Sequence, residues 1–424
     1  MTVAGISLDQ FVIVPIAAFA FIILLTIIVF FHEYGHFSVA RLFGIRVDVF
    51  SIGFGKSIAR WVDRSGTEWR IAMIPLGGYV KFFGDANAAS QAREDIAEGD
   101  APEPHPATTQ FPPPGKEEEV GRGLTAAEKK VCFHFKPVWV RGAVVAAGPI
   151  ANFILAVAIF WGLFMAFGDV VQEPRIGEVS RGSAAEEAGF EPGDRILTVD
   201  GRKLKNFAEL TIAVRLSAGE PIRFEVERDG AVIELVATPR RETTEDGFGN
   251  QVEAGVLGVR ADQNGTKFVR YNAGESLQMA VERVANILKA TVRFLGRLIL
   301  GKEDASQLGG PLKMAQYAGQ AAMSGFDESA YEEPPGFLTK LKVSLGTFIN
   351  FAAVVSVSIG FLNLLPVPVL DGGHLMYYAY EAVARKPLGA RAQAIGFKVG
   401  IVLLASLMLF VTWNDIRNLP FFSS

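Results

Sequence analysis

Cysteine is almost missing from this chain: Cys132 is the only one in 424 residues. An internal disulfide framework and a cysteine-built zinc site are therefore excluded. Histidine is nearly as scarce, with five in all, so two of them four residues apart carry information. No sign of charge is in surplus. The net charge of −4 and pI near 5.9 leave no footprint for a nucleic-acid partner. What the chain has in plenty is apolar surface, with 50% hydrophobic residues and a mean hydropathy of +0.28. It is too apolar for an ordinary soluble enzyme and too long for one small domain.

Four stretches read as membrane spans. Phe11–Phe31 is uncharged and long enough for a bilayer core that takes about 20 apolar residues. Gly142–Gly168 is the second, and Val343–Leu370, which ends in "NLLPVPVLDGG", is the third. The fourth, about Ile395–Trp413, carries Lys398 close enough to its start to snorkel. Met1–Gln10 holds no Lys or Arg, which argues against a cleaved signal peptide. Arg41, Arg46, Lys136 and Arg141 lie between spans one and two, and Arg385, Lys386 and Arg391 between spans three and four. The positive-inside rule then places both chain ends outside and the "HEYGH" end of the first span on the cytoplasmic side.

Between the spans the composition changes repeatedly. Segment 44–84 alternates apolar and polar residues between glycines, as a small sheet does, and its open edge could pair with an extended peptide. Segment 85–130 is acidic, Pro-rich and poor in large aliphatics, so it is expected to stay unfolded, with His105 solvated inside it. Segment 169–265 reads as short strands with an Ala-rich helix, an amphipathic helix "NFAELTIAVRLSAG" and a hairpin turning at Asp229-Gly230. Within 266–342, Leu277, Val281, Val284, Leu288, Val292 and Leu295 form one stripe of a helix that lies on a surface, either the outer leaflet or the preceding domain.

The chemistry sits in His32, Glu33 and His36. On a helix, positions i and i+4 share a face, so the two imidazoles can grip one metal ion with Glu33 beside it. The plain alternative is a pair of interfacial histidines satisfied by backbone or headgroups. Ionisable groups are costly at membrane depth, which favours a functional reading. A catalytic zinc site needs a third protein ligand and one open position. Asp371 is the candidate, because Pro366 and Pro368 stop a regular helix just before it and the charge-derived topology puts it on the same side. His374 is a rival on spacing, but three residues further on it falls at the cytoplasmic edge; His134 reads as an interfacial residue.

"HEYGH", "PLGGYVKFFGD", "GPIANF" and "NLLPVPVLDGG" together resemble the site-2 protease family, peptidase M50, in the bacterial branch that includes the regulator of sigma-E protease. "AAEEAGFEPGDRILTVDG" resembles a circularly permuted PDZ domain, and "GVLGV" at 255–259 falls where that family places a peptide-terminus loop, or is a plain strand. The implied fold is a polytopic α-helical membrane protein of four transmembrane helices, with a cytoplasmic-side membrane-associated β-sheet and an inserted extracytoplasmic PDZ-like α+β domain. Its expected segments are the first span with H-E-x-x-H (1–43), the sheet (44–84), the insertion (85–130), the second span (131–168), the PDZ-like domain (169–265), amphipathic surface helices (266–342), the third span with its Leu-Asp-Gly motif (343–375), and a cytoplasmic loop, fourth span and tail (376–424).

The resemblance further implies a Zn²⁺ enzyme of the bacterial inner membrane that cuts single-span membrane proteins within the bilayer. Its substrates would be a pre-trimmed anti-sigma factor and signal-peptide remnants, with no nucleic-acid partner. His32, His36 and Asp371 would hold the metal and Glu33 would be the base. Asn363, Pro366, Pro368, Gly77 and Gly78 would bind substrate, and the PDZ-like domain would take a peptide or chain terminus. The chain departs from the family's tandem arrangement in having one PDZ-like domain, and the family offers no role for the insertion. Two rivals are a metal transporter, which needs neither Glu33 nor a peptide-binding domain, and an inactive scaffold, which needs no intact ligand set.

Overall fold

The computed structural model describes residues 2–3, 6–84, 125–245, 251–303, 305, 308–327, 331, 333 and 335–417. Most of the expected insertion, with His105, lies outside them. The chain divides into two units, Met1–Val157 with Gly309–Ser424, and Ala158–Leu308. Among the described residues, four helices are long and apolar enough to cross a membrane, at Pro15–Leu42, Val138–Phe167, Phe337–Asn363 and Arg391–Arg417.

The first unit opens with α1 (Leu8–Leu42), which runs eleven residues beyond the expected end of the first span and so carries "HEYGH" inside a continuous helix. Strands β1 (Val47–Val62) and β2 (Glu68–Phe82) follow as one long hairpin that folds back on itself. Val49, Phe50, Ser51 and Ile52 each have two partners, one in Glu68–Ile71 and one in Gly78–Lys81. The first half of β1 is thus an inner strand. Among the described residues, Gly78–Lys81 is paired on one side only and forms an edge. Phe37 packs edge to face against Phe50 and Trp69 where the sheet meets α1, closing a core with Ile45, Val47 and Val144. Helix α2 (Ala126–Val131) comes next, capped by Thr125 with a reciprocal Glu128 bond. It corrects the expected unfolded segment, whose last residues 126–130 are helical because "TAAE" is a capping box. Helix α3 (Val138–Phe167) is the second span.

The second unit takes over in the last turns of α3. Its strands are β3 (Asp169–Gln172), β4 (Ile176–Val179), β5 (Arg195–Val199), β6 (Arg202–Lys203), β7 (Ile222–Arg228), β8 (Ala231–Ala237), β9 (Arg240–Glu245), β10 (Gln251–Val256), β11 (Val259–Ala261) and β12 (Thr266–Val269). The main sheet has the order β8-β7-β5-β6, and β9–β10, β4–β11 and β3–β12 pair separately. Alternating residues Ile222, Phe224 and Val226 of β7 are buried with Ile196, Val199, Leu210 and Leu257. The β7–β8 hairpin turns at Asp229 (φ 51°) and Gly230 (φ 82°), the left-handed pair that tight hairpins demand. Three helices complete the unit: α4 (Ala184–Ala188, capped by Ser183), α5 (Phe207–Arg215, capped by Asn206) and α6 (Ala273–Ile299, capped by Asn272). "GVLGV" is neither a free loop nor one strand. It ends β10, buries Leu257, turns at Gly258 (φ 83°) and begins β11.

The first unit resumes with α7 (Pro311–Met323), α8 (Phe337–Asn363), α9 (Asp371–Ala384) and α10 (Ala390–Arg417). Two expectations fail here. The reading of 266–342 as surface helices does not hold for α7, which buries Ala321 and packs Ala318 into a core with Leu24, Ile28 and Val355. Its small residues permit that approach: a Cβ on Gly319 would lie 2.5 Å from Ala17 Cβ. The third span stops at Asn363 rather than Leu370, and the expected cytoplasmic loop after residue 376 is largely the helix α9. Pro366 and Pro368 force the break, and a fresh helix can start only beyond them.

Buried Asp415 of α10 caps α7, with Oδ1 accepting from the Gly310 N–H at 2.8 Å and Oδ2 from the Lys313 N–H at 3.0 Å. Asp415→Ala strands one buried and one partly buried donor and is expected to destabilise the protein by about 1–3 kcal/mol. Asp415→Asn, which keeps one acceptor, should lose less. Thermal unfolding of the detergent-purified full chain checks the order.

Candidate metal centre

The site begins with how closely α1 meets α3. A Cβ on Gly35 would lie 2.3 Å from Ala147 O and 2.7 Å from Ala151 Cβ, so the two helices approach through small residues. That approach presses His32 and His36 against α3. His36 Nδ1 donates to Val144 O at 2.9 Å, which leaves the Nε2 lone pair free. His32 Nδ1 stands 3.2 Å from the amide of Asn152, whose Oδ1 is buried without a partner. Turning that amide about its axis exchanges oxygen and nitrogen, so that Oδ1 accepts from Nδ1–H and His32 Nε2 is freed as well. Asn152 is itself held from α8, since Ser356 Oγ donates to its carbonyl at 2.9 Å.

Asp371 is the first residue of α9, where a helix N-terminus favours a carboxylate. The two glycines after it have a steric reason. A Cβ on Gly372 would lie 2.3 Å from Leu364 O, and one on Gly373 would lie 2.4 Å from Val367 O. The helix start therefore nests into the backbone of its own proline-broken lead-in. Its far end is braced by Arg141 of α3, which donates to Glu381 and lies 4.9 Å over the Tyr378 ring.

Three atoms converge. His32 Nε2 lies 3.1 Å from Asp371 Oδ2, His36 Nε2 lies 3.5 Å from it, and the two nitrogens are 3.3 Å apart. Despite these distances, Oδ2 receives no hydrogen bond of acceptable geometry and is a buried atom without a donor. Around a tetrahedral ion with bonds of about 2.0–2.1 Å, ligand atoms stand about 3.3 Å apart. Two imidazoles and a carboxylate at that spacing fit Zn²⁺ and leave the fourth position open. Gly148 makes the room, since a Cβ there would sit 2.3 Å from His36 Nε2 and 2.9 Å from His32 Nε2.

Glu33 is half-buried, and its Cγ would be 3.2 Å from a Cβ on Gly78, so the carboxylate side of α1 faces the sheet edge. Gly78 thus lies where the edge passes Glu33, whereas Gly77 (φ 135°) lies against the Phe54 ring. The other sequence candidates are not part of the cluster. Asn363 ends α8, and among the described residues no hydrogen bond joins it to the three ligand atoms. Pro366 and Pro368 lie in the lead-in to Asp371, with Pro368 packed by Gly373. His374 stands beside Tyr377, and His134 beside Phe133. The sequence reading uses Arg141 only as a flanking charge and Gly148 and Asn152 only as part of "GPIANF"; it gives none of the three a place beside the metal ligands, although Gly148 and Asn152 share a helical face.

A model of peptidase family M50 matches residues 20–407. The chain is 41% identical over 401 residues, 94% of its length, to an Agrobacterium fabrum protein named "putative zinc metalloprotease", covering 95% of that protein. It is 40% identical over 398 residues to "Metalloprotease MmpA" of Caulobacter vibrioides, covering 94% of each chain. A Rickettsia conorii protein named like the first is 30% identical over 401 residues, 94% of this chain and 98% of its own.

Gly148→Ala is expected to abolish retention of one zinc per chain, because the methyl group displaces both imidazoles while α3 stays helical. Asn152→Ala should weaken zinc by about 10–100-fold. Chelator competition with metal analysis, alongside circular dichroism, measures both.

Proposed function

Because the chain belongs to peptidase family M50, we propose that it is a zinc metalloendopeptidase that hydrolyses peptide bonds within the membrane-spanning segments of single-span proteins. His32, His36 and Asp371 hold the metal and Glu33 is the catalytic base. The observation that carries this reading is the spacing of the three donor atoms, 3.1–3.5 Å, around a space that Gly148 keeps open.

A bound zinc supplies Lewis acidity, polarising a carbonyl and lowering the pKa of water to about 7. The residues of the chain do the rest. His36 and His32 are oriented by Val144 O and Asn152, and Asp371 is presented by the start of α9. Glu33 takes a proton from the attacking water and later passes it to the leaving amine. A peptide bond inside a helix is shielded, so a substrate has to unwind before it can be cut. The free edge at Gly78–Lys81 replaces its lost backbone bonds by strand addition beside Glu33. Thr26 of α1 helps tie that sheet down, donating to Pro75 O at 3.3 Å. Ile58, Met73 and Ile74 of the hairpin are exposed apolar residues, which suits a sheet dipping into lipid.

The enzyme then sits in a bacterial inner membrane with this site toward the cytoplasm, as the Lys and Arg flanks of the spans favour. Residues 169–265 act as a PDZ-like domain on the periplasmic face. That domain admits substrates already trimmed outside, such as an anti-sigma factor, and signal-peptide remnants.

Glu33→Gln is expected to bind zinc normally and to cleave a single-span reporter about 10²–10⁴-fold more slowly. Undiminished cleavage would overturn the role of Glu33, and loss of zinc would make it structural. Gly78→Ala, whose methyl would press on Ser51 O and Glu33, should lower kcat with zinc content unchanged.

A further inference from the structure

Helix α6 has two features that the catalytic reading does not use. The first is an apolar stripe without a cover. At 100° per residue, Leu277, Val281, Leu288, Val292, Leu295 and Ile299 fall within about 60° of one another. Val281, Val292 and Ile299 are 50%, 55% and 84% exposed. The helix buries a neighbouring face instead, through Ser276, Ala280 and Val284.

The second feature is a set of cations beside that stripe. Arg202 of β6 joins Leu288, Lys289, Val292 and Arg293 around an open cavity of about 420 Å³. Among the described residues none of the three cations has an ion pair. Burial and the neighbouring Arg202 and Arg297 push the Arg293 guanidinium below its ordinary pKa, and Asp200 opposes them only in part. Arg297, one turn further on, shows how the fold treats a cation it needs for itself. It is buried between Glu220 at 2.5 Å and Glu303 at 2.8 Å. The cavity thus joins apolar walls to positive charge that no ion pair among the described residues neutralises.

The start of α6 says what lies nearby. Trp161, in the last turns of the second span, donates from Nε1 to Ala273 O at 2.9 Å, and Phe164 meets Tyr271 edge to face. Such aromatic residues at the end of a span mark the headgroup level. We propose that the cavity bounded by Arg202, Lys289 and Arg293 binds the headgroup of an anionic phospholipid, whose acyl chains lie along the Val281–Val292–Ile299 stripe of α6. The stripe gains lipid contact and the cations gain their anion, so both features have one occupant. This assignment stands whether or not the catalytic reading does.

Native mass spectrometry of the full chain, titrated with phosphatidylglycerol or phosphatidylcholine, tests it. The wild type should hold one phosphatidylglycerol in preference to phosphatidylcholine. Arg202→Gln, Lys289→Gln and Arg293→Gln together should remove that preference, at about five-fold per cation. Val292→Ser with Ile299→Ser should weaken the lipid while leaving inorganic phosphate binding unchanged. Hydrogen exchange in nanodiscs should show residues 286–294 protected only when phosphatidylglycerol is present, a readout that needs no substitution. Equal retention of the two lipids, an unchanged preference in the triple variant, or no protection at 286–294 overturns the proposal. Inorganic phosphate binding as tightly as the lipid would also overturn it, because the site would then take a free anion.

Discussion

Everything in the membrane unit depends on how near α1 comes to α3. Gly35 lets the helices touch through the Ala147 carbonyl, and Gly148 then leaves a gap at the place where two imidazoles turn toward each other. Larger residues at either position would separate the helices or fill the gap. Small-residue packing serves here for more than helix association. It sets the depth and direction of His32 and His36, and it brings Val144 O and Asn152 close enough to choose which ring nitrogen stays free.

The third donor arrives by a different device. Asp371 comes from residues far along the chain and has to meet α1 without a long flexible arm. The prolines break α8, Leu364–Leu370 turns back on itself, and Gly372 and Gly373 allow the new helix to start in contact with that turn. A carboxylate at a helix start is favoured by the helix dipole, and Arg141 steadies the other end of the same helix through Glu381 and Tyr378. Helical elements on both sides thus present the three donor atoms 3.1–3.5 Å from one another.

The fold-back of the β1–β2 hairpin is the other decisive feature. A simple hairpin would leave two equivalent edges. Here the first half of β1 is taken into the middle, and Gly78–Lys81 is left as the edge that passes Glu33. A comparable contrast appears in the second unit, where Arg297 is held between Glu220 and Glu303 while Arg293, four residues earlier on α6, has no ion pair among the described residues.

Sequence alone was enough for four spans, because long uncharged runs admit no other solution in a bilayer. It was also enough to put His32 and His36 on one face, since positions i and i+4 share it, and for the β7–β8 turn, since Asp-Gly takes the left-handed conformations cheaply. It pointed to Asp371 through the proline break before it, the charge-derived side of the membrane and the resemblance carried by "NLLPVPVLDGG". What the sequence could not supply were effects that exist between segments. Arg141 reads only as a flanking charge, and Gly148 and Asn152 only as letters of "GPIANF", until α1 and α9 are placed against them. Helix α7, at 13 residues too short to span and carrying Lys313 and Gln316, gave no sign that it would be buried against α1. The hairpin's open edge likewise followed from register, and register is a property of two strands together. Periodicity and composition act along the chain. Distances of 3 Å between residues hundreds of positions apart are decided only when the helices pack.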